Sequence, residues 1–100
     1  MSSLHIVSTS AYCTDALQRA VEMARCGDAI ILIEDGVYGA ADTPANQAVL
    51  KHCSSDVALF VLVEDLTARA LPACSEQFKT IGYSGFVELV CHHKNSVSWS

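Results

Sequence analysis

Two carboxylate pairs close long apolar runs in this chain, Glu34-Asp35 after "AIILI" and Glu64-Asp65 after "DVALFVLV". Four carboxylates gathered in one place could hold a hard cation such as magnesium, as a phosphate-receiving regulatory domain does. The first apolar run, however, ends in Ser8-Thr9-Ser10 with no acid, and the last strand candidate ends near Trp99 without a lysine. The plainer reading makes the acids openers of the helices that follow, where negative charge suits the helix dipole. Gly36 and Gly39 then supply turn freedom around Val37 and Tyr38. No metal and no cofactor is expected on this reading.

The thiols are the other reactive groups. Five cysteines stand at 13, 26, 53, 74 and 91 without a C-x-x-C pair, which is neither a disulfide framework nor a zinc ribbon. Cys13 precedes a helix candidate, and a helix N-terminus favours the thiolate; Asp15, two residues on, opposes it. If any residue of this chain is catalytic, it is Cys13. Cys91 lies beside Val90 and is expected to pack as a small hydrophobe. Cys91-His92-His93 and His52-Cys53 are not ligand sets, because helical neighbours point about 100° apart. His5, inside a strand candidate, is expected to be a satisfied interior or interface histidine. Neither G-x-S-x-G nor a glycine-rich phosphate loop occurs, so serine hydrolase chemistry and nucleotide binding are not supported.

The elements that must position these residues alternate. "LHIVS" (4–8) reads as a strand, followed by a helix from about Thr14, its N-cap, with Leu17, Val21 and Ala24 on one face and Ala16 and Ala20 beside them. "CGD" offers Gly27 as a helix C-cap. "AIILI" (29–33) and "DVALFVLV" read as strands buried on both faces, since their apolar residues are continuous. Between them lies a helix with Pro44 near its start, where proline is tolerated. A short helix "EDLTARAL" places Asp65 four residues before Arg69 and stops at Pro72. "KTIGY", a helix "SGFVELVCHH" with Phe86, Leu89 and Val90 on one side, and "SVSW" complete the series. This pattern predicts an α/β fold, a three-layer α/β/α sandwich around a mainly parallel sheet of about five strands. The carboxyl ends of parallel strands form the usual binding edge, so "STSAYC", "EDGVYGA", "EDL" and "YSG" should gather there.

Bulk properties narrow the role. One hundred residues make a single domain, 1–100, able to bury roughly 60 to 70% of its unfolded surface. With 51% apolar residues, the chain holds more apolar material than a solitary monomer needs, which favours a subunit of something larger. A net charge of −5 argues against direct nucleic-acid binding. The longest apolar run, "VALFVLV", is too short to span a membrane, and "MSSLHIVSTS" lacks the basic start of an export signal, so a cytoplasmic location is expected.

Four stretches, "LHIVSTSAY", "GDAIILIEDGVY", "EDLTARAL" and "IGYSGFVELVCHHKNSVSW", taken in order over nearly the whole chain, resemble the TusB/DsrH family of sulfur relay proteins. The resemblance implies a DsrEFH-like domain serving as an accessory subunit of a hetero-hexamer with TusC/DsrF-like and TusD/DsrE-like subunits, which passes persulfide sulfur to a TusE/DsrC-like carrier. In the tRNA branch the sulfur ends in 2-thiouridine at the wobble position; in the DsrEFH branch related complexes serve cytoplasmic sulfur oxidation. Ala20 occupies the position where some members carry a first-helix cysteine, which implies a supporting role. Ala11, Ala70 and Gly82 depart from a common proline, glycine and acid in turns. Glu34, Asp35, Gly36, Val37, Glu64 and Asp65 are then candidates for a contact surface, and a persulfide carried by Cys13 itself is the rival reading.

Overall fold

The computed structural model describes residues 2–71 and 74–100. Five strands, β1 (Ser3–Val7), β2 (Ala29–Leu32), β3 (Ala58–Leu62), β4 (Lys79–Ile81) and β5 (Asn95–Trp99), form one sheet in the order β4-β3-β2-β1-β5, and every neighbouring pair is parallel. Parallel strands need crossovers, and four helices supply them: α1 (Ala16–Met23), α2 (Pro44–Leu50), α3 (Val63–Ala68) and α4 (Tyr83–His92). A 3-10 helix, Glu34–Ala40, precedes α2.

The two faces of the sheet are unequally covered. On one face α1, α2, α3 and the 3-10 helix close a large core in which Leu17, Ala20, Val21, Val37, Leu50 and Leu66 meet Val7, Ile30, Leu32 and Val61. On the other, Leu4, Ala29 and Ile31 pack with Phe60, Ile81 and the half-buried Phe86 and Leu89 of α4. Central β2 is buried throughout, as its unbroken apolar run predicts. The α1 face matches its predicted stripe, with Ala16, Leu17, Ala20, Val21 and Ala24 all buried.

Several local expectations are corrected. The N-cap of α1 is Asp15, one residue later than expected; the Thr14 hydroxyl still accepts from the Ala16 amide at 3.3 Å. Gly27 is not the C-cap, which is Ala24; it holds φ +90° in the tight turn into β2, a conformation open to glycine. β3 is buried only at its carboxyl end, because β4 begins opposite Phe60 and leaves Ala58 without that neighbour. Val90 and Cys91 face solvent, not the core: among the described residues α4 is the one helix on its face, and it touches the sheet through Phe86 and Leu89. The stop assigned to Pro72 lies outside the described residues.

Candidate functional site at the carboxyl edge

Because all five strands are parallel, the segments after β1, β2, β3 and β4 leave from the same edge of the sheet. The segment after β2 approaches β1 most closely. The Ile33 amide donates to the Val7 carbonyl at 3.0 Å, and a Cβ on Gly36 would lie 2.1 Å from that same oxygen. Gly36 is therefore required by contact with backbone, while its φ is unremarkable; Glu34, at φ 50°, takes the left-handed turn position instead. Gly39 lies under Leu17, where a Cβ would come within 2.8 Å of a methyl carbon.

The two acidic pairs meet through a cation that local spacing only half revealed. Arg69, just past α3, directs Nε to Asp35 Oδ1 at 2.9 Å and Nη1 to Asp65 Oδ1 at 3.5 Å. Asp65 Oδ2 also accepts from the Glu34 amide at 2.7 Å, which satisfies a first-turn donor of the 3-10 helix. The hydrogen bond to Asp35 raises the Arg69 pKa further above its ordinary value, against the cost of burial and with help from both aspartates. Glu64 turns the other way, and its Oε2 accepts from the Tyr83 amide at 3.4 Å at the start of α4. The acids thus link the segment after β2 to α3, and α3 to α4. Among the described residues no group of three or more His, Cys, Asp or Glu is arranged to hold a metal ion.

Glu34 and Asp35 are exposed, whereas Val37 is fully buried beneath the 3-10 helix and offers no surface to a partner. Its neighbour Tyr38 is half-buried, with its ring 6.3 Å from that of the exposed Tyr12. Cys13 is exposed beside Tyr12 in the loop after β1. That loop is tied down: the Cys13 amide donates to the Ser10 carbonyl at 3.0 Å, and the Thr9 and Thr14 hydroxyls are 2.8 Å apart. Of the remaining thiols, Cys26 and Cys91 are exposed and Cys53 and Cys74 half-buried; burial pushes the Cys53 thiol up.

His5 is buried and fully bonded. Its Nε2–H donates to Asp28 Oδ2 at 3.0 Å, and its Nδ1 accepts from the Trp99 indole at 3.0 Å. An indole N–H only donates, which sets the neutral tautomer with the proton on Nε2. Asp28 also accepts from the Ser3 and Arg25 amides at 2.9 Å each. Burial would raise the Asp28 pKa, but its hydrogen bonds from His5, Arg25 and Ser3 hold it below the usual carboxylate value. Sequence reasoning reached His5 as a satisfied histidine but not its partners, which lie 23 and 94 residues away.

Comparisons with known proteins bear on the family and the fold. The sequence profile described as "DsrH like protein" matches residues 9–96. Protein TusB of Erwinia tasmaniensis is 35% identical over 98 residues, covering 96% of this chain and 99% of the relative. Protein TusB of Serratia proteamaculans is 32% identical over 84 residues, covering 83% and 86%. In fold, the chain is similar to the ychN protein from E. coli, with a TM-score of 0.71 at 10% identity over 98% of this chain and 99% of that one. It is also similar to protein Tm0979 from Thermotoga maritima, with a TM-score of 0.61 at 22% identity over 90% and 92%. A profile match over most of the chain, together with full-length relatives above 30% identity, shows that this protein belongs to the TusB/DsrH family.

Proposed function

We propose that this chain is the accessory, non-catalytic subunit of a TusBCD-like heterohexameric sulfur relay complex. In it, TusC-like and TusD-like sister subunits pass persulfide sulfur toward a TusE-like carrier and on to 2-thiouridine at the tRNA wobble position. Sulfur relay is the role that family membership supports, and the full-length relatives named TusB favour the tRNA branch over DsrEFH-type sulfur oxidation. The observation that carries the accessory role is the use made of the acids at the carboxyl edge. Asp35, Asp65 and Glu64 are engaged in cross-links between the 3-10 helix, α3 and α4, so they shape a surface and do not stand ready as general acids or bases. Exposed Tyr12, Tyr83 and Val87 add apolar contact area of the kind that subunits cover.

Reconstitution of the chain with TusC-like and TusD-like partners and a TusE-like carrier tests the reading. Omitting the chain should abolish complex assembly and tRNA thiolation, and a Cys13→Ser variant should restore both in full. The exposure of Cys13 favours one rival, a persulfide carried by this chain itself. If the isolated chain gains the mass of one sulfur at Cys13 and delivers it to the carrier, the accessory reading is wrong.

A further inference from the structure

The bond between Trp99 and His5 occupies the one lone pair that a second proton on the imidazole would need. Nδ1 accepts from the indole, and Nε2 already carries the hydrogen given to Asp28. Protonated at both nitrogens, His5 would set an N–H against the Trp99 N–H across 3.0 Å, two donors with nothing between them. The Asp28 contact is affected in the opposite sense. It becomes an ion pair that keeps the imidazolium in place, supported by the Ser3 and Arg25 amides.

The surroundings add to the asymmetry. Asp28 faces His5 from the turn that leads into β2. From α1, Arg19 lies 5.6 Å over the Trp99 ring, paired with Asp15 at 3.1 Å, and reaches the Ser100 carbonyl at 3.2 Å. The Arg25 guanidinium turns away to the Glu22 carbonyl. Charging His5 therefore brings a second cation up to a ring that already carries one. β5 is the element able to yield: it is an edge strand paired with β1, and Asn95 to Ser98 are exposed while Trp99 is half-buried. The indole is its packed anchor in the main core.

We propose that His5, Asp28 and Trp99 form a proton-operated latch for the C-terminal strand: a second proton on His5 expels the Trp99 indole and loosens β5 from β1 while the His5–Asp28 contact persists. Closed and open states differ by one proton, so acid favours opening. Trp99 lies opposite Val7, whose carbonyl receives the Ile33 amide, so opening also reaches the carboxyl edge that carries the candidate site.

Trp99 is the sole tryptophan, so its fluorescence reads the latch directly in the full-length chain. As pH is lowered from 8, the emission should shift to the red and become more open to acrylamide quenching, with unchanged far-UV circular dichroism. Over the same range, amide exchange at Val97 to Trp99, corrected for intrinsic rate, should accelerate by at most about tenfold per pH unit, the slope of one proton taken up on opening. Exchange in β2 and β3 should stay constant. A His5→Gln variant should lose the pH response. Should that variant fail to fold, nitrogen NMR of the native chain decides: Nδ1 protonation must coincide with loss of the Trp99 indole hydrogen-bond signature. Emission that is flat with pH, or β3 exchange rising together with β5, overturns the latch.

Discussion

Arg69 Nε lies 2.9 Å from Asp35 Oδ1, joining the end of α3 to the 3-10 helix that leaves β2. The same guanidinium reaches Asp65, so one cation holds two acids that sequence spacing places thirty residues apart. Asp35 is largely exposed, and an exposed pair of this kind contributes on the order of 0.5 kcal/mol. Arg69→Ala should therefore lower stability in urea by no more than about 1 kcal/mol. It should also speed amide exchange at residues 34–36. A double-mutant cycle with Asp35→Ala that returned a coupling several times larger would contradict this estimate.

Gly36 separates a contact requirement from a conformational one. Gly36→Ala drives a Cβ into the Val7 carbonyl and should cost about 3 kcal/mol, since backbone on both sides must shift. Gly27→Ala meets open space and has only its φ of 90° to oppose it, a strain of about 1 kcal/mol. Equilibrium unfolding of both variants checks the order, and equal losses would contradict it.

Asp28 should make stability acid-sensitive. Its carboxyl is held below the usual value in the folded chain, so the unfolded chain binds the proton first as pH falls. The stabilisation is fully present above the unfolded carboxylate value of about 3.9 and is lost as pH drops through the folded one. Asp28→Asn should flatten that acid limb, and urea midpoints from pH 6 to about pH 3 will show whether it does.

Thiol labelling should follow exposure. Cys13, Cys26 and Cys91 should react first with a soluble alkylating reagent at neutral pH, and Cys53 last, because burial both shields it and disfavours its thiolate. Peptide mass spectrometry over time gives the sequence of reaction. Early labelling of Cys53 would mean that the segment after α2 opens readily.

Much of this fold is legible in local pattern. The continuous apolar run of β2, the α1 stripe of Leu17, Ala20 and Val21, and proline at the start of α2 each announce an element through periodicity or a backbone constraint that neighbours in sequence suffice to set. The side of α4 was only partly readable: Phe86 and Leu89 do face the sheet, but Val90 is apolar and still exposed, because a helix that covers its face alone buries a narrow stripe.

The chain's own order of residues determined that strands and helices alternate, that the sheet is parallel, and that two acidic mouths open at its carboxyl edge, since each follows from unbroken apolar runs, the helical period of 3.6 and crossover geometry. Only the tertiary structure decided which groups those mouths meet. The Arg69–Asp35 bridge, the reach of Glu64 to the start of α4, and the His5–Trp99 bond across 94 positions all depend on strand order and register, which are set by packing over the whole sheet and leave no mark in any short window of sequence.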